Sequence, residues 1–287
     1  MVRLSDFTFP SNNPPSIIES PVTSSVAKHR IPGRKGNIQH LMGANNMLFN
    51  IAGSLYSIST DTDKHFTDLQ ELIRILMDGK PISFNHNKFA HFGENGDLYT
   101  EATTDWITVD CTVTADSSVK KVGSNSIRVD SLAANTTKRV NTPAWFTPLD
   151  TNNPHYSSLC FWYRPAGVED VDDIRIRVWS SDFVSYFYRD IDLSVWNGGL
   201  TADTWSEIVL PLGDVVSEDW TTSGTPTWTD ISRVTIGWPI SGTSEPNYID
   251  GLCITHSVRV TGLPLIRHPS GRPNQINYRL ELEQYLG

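Results

Sequence analysis

Several features are scarce in this sequence, and each shortage removes a class of protein. No stretch of the 287 residues approaches the roughly 18 consecutive apolar residues of a spanning helix. The opening run MVRLSDFTFPSNNPP has no apolar core of the kind a secretory leader carries. Neither membrane insertion nor a leader is expected. The three cysteines, Cys111, Cys160 and Cys253, lie far apart in apolar runs without CxxC spacing. That argues against a zinc-stapled fold and for buried thiols, with one disulfide among them as the alternative. No GxSxG, HExxH, P-loop or GxGxxG pattern occurs, and the eight histidines include no i, i+4 pair. No enzyme is expected. Cations are outnumbered, 23 Lys and Arg against 32 Asp and Glu, a net charge of -9, so nucleic acid is not expected as a partner.

The remainder is ordinary globular material, 38% hydrophobic and 19% charged, with a mean hydropathy of -0.28. A chain of this length is long for a single domain, and two cores are the natural expectation. All nine tryptophans fall between Trp106 and Trp238. Charge divides at nearly the same borders: residues 101–255 hold 21 acids and 10 bases, net -11, and the flanks hold 11 and 13, net +2. The middle therefore reads as a module inserted into a host domain.

In the N-terminal flank, Ile17–Ile18, Ile38–Met42 and Met47–Tyr56 read as short strands between Gly and Asn turns. One helix is expected, with Thr67 and Gln70 as its capping box, Leu69, Leu72, Ile73 and Leu76 as its buried stripe and Gly79 as its stop. The tail INYRLELEQY alternates without fault, with Ile276, Tyr278, Leu280 and Leu282 on one face. Pairing it with the N-terminal flank splits the host domain around the module. Within the module, strands are expected over 126–130, 159–163, 174–179, 186–193, 205–212, 234–238 and 248–254, a β-sandwich pattern.

The segment SIIESPVTSSVAKHRIPGRKGNIQHLMG, followed by FNIAGSLY, a short helix, GKPISF and the closing GRPNQINYRLELEQY, resembles the β-domain of distal tail proteins of long-tailed phages and archaeal tailed viruses. The likeness covers about residues 15–100 and 256–287. It implies a six-membered ring in the virion, at the distal end of the tail, between tail tube and tail-tip proteins. The middle, through VGSNSIRVDS, LCFWYRP, WSEIVLPL and YIDGLCI, is similar to galactose-binding-like jelly rolls of carbohydrate-binding modules. Together these imply a mainly β chain: a tail-tip β-sandwich or barrel with one short helix (1–105 and 256–287), interrupted by a jelly roll (106–255). The implied function is a non-enzymatic tail-tip or baseplate component whose outward module touches host surface glycans or neighbouring proteins. The alternative is a secreted carbohydrate-binding protein or an accessory module of a glycoside hydrolase.

Sugar binding needs an aromatic face to stack on a pyranose, with polar groups beside it for the hydroxyls. Trp162 and Trp205 sit in apolar strands and read as core. Trp196, Trp220 and Trp228 stand in polar, loop-like contexts and are the ligand-face candidates. In a ring, Lys28, Arg30, Arg34 and Lys35 of KHRIPGRKG would meet an acidic neighbour. Jelly rolls of the kind resembled here often place an Asp like Asp250 on a structural calcium ion; the acidic run EDVDDIRIR reads as a solvated charge cluster, with a cation site as its alternative. His29, His40, His65, His86 and His91 are expected at surfaces or interfaces.

Overall fold

Two-residue alternation dominates the chain, and strands are its outcome. The computed structural model describes residues 2–10, 14–21, 25–30, 37–42, 47–57, 61–78, 80–86, 103–131, 138–144, 147–153, 156–165, 173–196, 199–238, 246–261 and 264–285, with the backbone alone at 2, 20–21, 25–30, 37–42, 85–86 and 131. The first strands are β1 (Val2–Leu4), β2 (Phe7–Thr8), β3 (Ser16–Pro21), β4 (Ser25–Arg30), β5 (Asn37–Met42) and β6 (Met47–Tyr56), then helix α1 (Lys64–Met77) and β7 (Ile82–His86). The module continues with β8 (Ile107–Val109), β9 (Cys111–Asp116), β10 (Ser126–Ser131), β11 (Lys138–Asn141), β12 (Ser158–Pro165), β13 (Asp173–Ser180), β14 (Tyr186–Asp192) and β15 (Ser206–Pro211). It closes with β16 (Thr221–Ser223), β17 (Ile231–Trp238) and β18 (Asn247–Val260), and the chain ends on β19 (Leu265–Arg267) and β20 (Gln275–Gln284).

Two compact units emerge, one containing Met1–Thr8 and Ile82–Ser257, the other Phe9–Pro81 and Val258–Tyr285. The first is a jelly-roll sandwich of two antiparallel sheets. One sheet runs β9-β10-β18-β12-β15, and the other runs β16-β14-β13-β17-β11-β8. Their facing sides supply the core, including Leu159, Phe161 and Tyr163 of β12, Ile174, Ile176 and Val178 of β13, and Val234, Ile236 and Trp238 of β17. The Trp238 indole N–H donates to the Tyr163 hydroxyl (3.0 Å), and that hydroxyl donates to Asn247 (2.5 Å). Two large aromatics therefore enter the core with their polar atoms satisfied. Cys111, Cys160 and Cys253 are buried free thiols, and Cys160 faces Cys253 directly across β12 and β18.

The outward side of the five-stranded sheet is also buried, at Cys160, Trp162, Val209 and Cys253. Residues 3–6 and 82–84 supply its polar partners. Ser5 Oγ donates to Glu207 (2.7 Å), as do the backbone N–H (3.3 Å) and hydroxyl of Ser83, and Lys121 pairs with Asp6 (2.6 Å). Burial raises the Glu207 carboxyl above its ordinary value, and the bonds from Ser83 and Ser5 oppose that rise. The unit border falls at Pro81/Ile82, whereas composition places the module's start near residue 106. The difference is β7, which pairs with β1 and neighbours β18.

In the second unit β20 lies along β6, from Gln275 opposite Tyr56 to Glu283 opposite Leu48, and β3 takes the other edge of β6. Ile276, Tyr278, Leu280 and Leu282 are buried with Phe49, Ile51 and Leu55, the faces that alternation assigns. Helix α1 starts at Lys64, one turn before the expected cap. Asp63 holds the N-cap position and its carbonyl accepts the Phe66 and Thr67 N–H groups, which leaves Thr67 inside the helix. The buried stripe is His65, Leu72, Ile75 and Leu76, while Leu69 and Ile73 are only partly buried. His65 is thus a buried residue rather than a surface one, with Nδ1 2.7 Å from Ser57 Oγ. Gly79, the expected stop, lies outside the described residues.

Candidate functional site

The open side of the six-stranded sheet carries the chemistry. In β13, burial alternates so that Ile174, Ile176 and Val178 enter the core and Arg175, Arg177 and Trp179 point away from it. In β14, Phe187 and Ile191 point inward and Tyr186, Tyr188 and Asp190 outward. Strand pairing then sets the outward residues in rows. Tyr186 stands opposite Trp179, and Trp179 opposite Arg233. Tyr188 stands opposite Arg177, followed by Thr235 of β17 and Asn141 of β11. Asp190 stands opposite Arg175, followed by Gly237 and Arg139.

The three aromatics form a run across two strands. Trp179 and Tyr186 have ring centroids 4.4 Å apart, and Tyr186 and Tyr188 6.1 Å apart. All three rings are partly exposed. Their orientations are fixed from below and from the side. The Trp179 indole N–H donates to Thr235 Oγ1 (2.7 Å), whose hydroxyl donates to Asn141 Oδ1 (2.6 Å). Arg177 lies over the Tyr186 ring at 5.3 Å and Arg175 over the Tyr188 ring at 4.8 Å. Arg175 also grips Asp190 with two bonds of 2.6 and 2.7 Å. Gly237 leaves a floor without a side chain between Arg175 and Arg139, where a Cβ would meet the Lys138 carbonyl at 3.3 Å. The result is a rigid, amphipathic face of rings flanked by hydrogen-bond donors. It can stack on a flat, partly apolar ligand and bond that ligand's polar edge.

Sequence pattern alone does not single out these residues. The signal existed in DIRIRVW and YFYRD, where Arg, Trp and Tyr alternate with Ile and Phe. What was missing was which strands are neighbours.

The structure relocates the residues that sequence nominated. Trp220 and Trp228 are 5% and 3% exposed and belong to the core, so neither offers a stacking surface. Trp228 stacks on Phe187 at 3.7 Å with planes 6° apart, and Trp220 meets Trp228 edge-on at 5.6 Å. Residues 213–230 fold back over the sandwich, and the polar neighbours of these tryptophans are what face solvent. Trp196 is partly buried and packs against the same core. Trp162 is buried, and Trp205 is partly exposed beside Tyr248.

Asp250 has a task other than metal binding. It is 0% exposed; Oδ2 accepts the backbone N–H groups of Lys121 (2.6 Å) and Val122 (2.9 Å), and Oδ1 accepts that of Gly251 (2.7 Å). With both oxygens so committed, the residues present do not fit a calcium ion, and no cluster of three His, Cys, Asp or Glu ligands occurs among the described residues. The pairing of β12 with β18 explains the geometry. Cys160 faces Cys253 and Trp162 faces Asp250, so β18 spends one extra residue there, a bulge with Gly251 at φ 58°. A Cβ on Gly251 would meet Val122 at 2.9 Å. Arg34 and Lys35 lie outside the described residues, as do the side chains of Lys28 and Arg30 on β4.

No protein-family model matches the chain, and no curated protein matches it. Solved structures share a carbohydrate-binding-module-like β-sandwich over about half of it. An exo-β-agarase aligns over 55% of this chain at 11% identity and a TM-score of 0.43, and the chain spans about a quarter of that enzyme's length, 24%. The family 11 carbohydrate-binding module of Clostridium thermocellum, in complex with a β-1,3-1,4-mixed-linked tetrasaccharide, aligns over 55% of this chain and 92% of its own, at 13% identity and a TM-score of 0.40. The family 30 module of a cellulosomal cellulase of the same organism aligns over 56% and 91%, at 12% identity and a TM-score of 0.37. The sandwich described above rests on its own strand pairings.

Proposed function

We propose that this chain binds glycans without modifying them, through the outward face of the six-stranded sheet. One observation carries the reading. Trp179, Tyr186 and Tyr188 lie in an unbroken row on the open face of a sandwich whose other large aromatics largely go inward. A sugar ring presents an apolar face and a polar rim. The rings here match the first, and Arg175, Arg177 and Asp190 match the second.

Trp179→Ala and Tyr188→Ala should each weaken binding by about 2 kcal/mol, roughly 30-fold in Kd, the behaviour of a central aromatic anchor. Affinity electrophoresis of the full chain against a panel of soluble polysaccharides reads this, with thermal melts to confirm folding. Unchanged mobility shifts in both folded variants would remove the face as the site.

A second reading concerns the other unit. Its assembly from Phe9–Pro81 and Val258–Tyr285, with the last strand closing on β6, supports a distal-tail-like platform that carries the module in a tail tip. Sedimentation and negative-stain imaging should then show six-fold rings. A monomer at every concentration tested would sink the platform reading and leave the glycan site untouched.

A further inference from the structure

Resting on the glycan-binding reading, we infer that the ligand of this face is acidic: a polysaccharide bearing carboxylate or sulfate groups, held at Arg177 and Arg233 beside Trp179. The module is net negative overall, yet four of the ten Lys and Arg in residues 101–255 (Arg139, Arg175, Arg177 and Arg233) project from this one sheet face. Elsewhere in the module, arginines are matched to carboxylates: Arg128 to Asp130, Arg164 to Asp203 and Arg189 to Asp219. On the face itself Arg175 is matched to Asp190. Four further acids border this geometry, one of them Asp230, which accepts from the Ser181 N–H (3.3 Å) and hydroxyl (2.5 Å). Asp173 and Asp192 pair at the far end of β13 and β14, beyond Asp190, while Asp182 binds the Val184 and Ser185 N–H groups in the hairpin loop.

Arg177 and Arg233 differ from the matched arginines. Among the described residues neither has a carboxylate within ion-pair distance. Their neighbours are rings, Tyr186 under Arg177 and Phe183 under Arg233 at 4.5 Å. The Nε of each is buried without a hydrogen-bond partner. Burial accordingly lowers both guanidinium groups from their ordinary value. Partly buried cations without a directly paired carboxylate are costly in the free protein. An arriving anion offsets that cost, and the planar guanidinium fork suits carboxylate and sulfate oxygens. Strand pairing places Arg233 directly opposite Trp179, with Arg177 two residues along β13 from it. A sugar stacked on the indole would thus present its charged substituent to both.

The test uses the full chain and four probes: polygalacturonate for carboxylates, carrageenan for sulfate esters, a mixed-linkage β-glucan as the neutral glycan, and poly-L-glutamate as a charged polymer without sugar. One or both acidic polysaccharides should bind at least about 10-fold more tightly than the glucan, and the stronger names the group. Arg177→Gln with Arg233→Gln should lose about 10-fold or more toward the acidic probe while the melting temperature holds. If that double variant unfolds, Arg177→Lys with Arg233→Lys keeps the charge without the fork and should lose part of the binding. Glucan binding that equals or exceeds acidic binding overturns the inference while sparing the glycan-binding reading. Equal capture of polyglutamate, or acidic binding unchanged in a folded variant, overturns it as well. No binding of any polysaccharide sinks both.

Discussion

Trp228→Ala is expected to destabilise the module by about 3 to 5 kcal/mol, among the largest losses available from one side chain in this chain. Its indole lies flat on Phe187 and meets Trp220 edge-on, and its backbone carbonyl accepts both the N–H and the hydroxyl of Thr151 (2.8 Å each). Truncation would leave a ring-sized void beneath residues 213–230. The surrounding strands are hydrogen-bonded on both sides and cannot collapse to fill it. Trp228→Phe should recover most of the loss, because the indole Nε1 is buried without a partner and the smaller ring removes that cost. Denaturant unfolding followed by circular dichroism measures both. A loss under about 1 kcal/mol for the alanine variant would mean that Trp228 is not part of the core.

Asp250→Ala should cost about 3 kcal/mol or more, since it strands three backbone donors at once, two of them fully buried. Asp250→Asn retains one oxygen and should cost about half as much. Because the anchor is made of backbone N–H groups, a chelator should leave the melting temperature of the wild type unchanged. A drop of several degrees on chelation, restored by calcium, would return Asp250 to metal binding. Together, the Trp228 and Asp250 series separate residues that hold the sandwich from the face residues Trp179 and Tyr188, whose changes are expected to act on binding instead.

The division between core and anchor was only partly legible beforehand. Alternation places strands over 174–179, 186–193 and 276–285, and the described strands match them with ends shifted by a residue or two. Short strands over 107–109, 138–141 and 221–223 escaped, being too brief to show a period. The apolar stripe locates the helix, but the capping-box pattern starts it one turn late, because Asp63 holds the N-cap without a side-chain bond. Among site residues, polar flanking sequence marked Trp220 and Trp228 as exposed. A loop folded over a core buries its tryptophans among polar neighbours all the same, and local sequence does not report that reversal.

Pattern along the chain was enough to determine that the protein is mainly β, that its last strand returns to the N-terminal flank, and that the tryptophan-rich middle is a sandwich. Those properties follow from period-two alternation and composition, which are local quantities. Only the tertiary structure decided which tryptophans face solvent, that Asp250 anchors a bulge, and that Trp179, Tyr186, Tyr188, Arg177 and Arg233 share one face. Each of those facts depends on strand register and on which surface is covered, and both are set by contacts between residues distant in sequence.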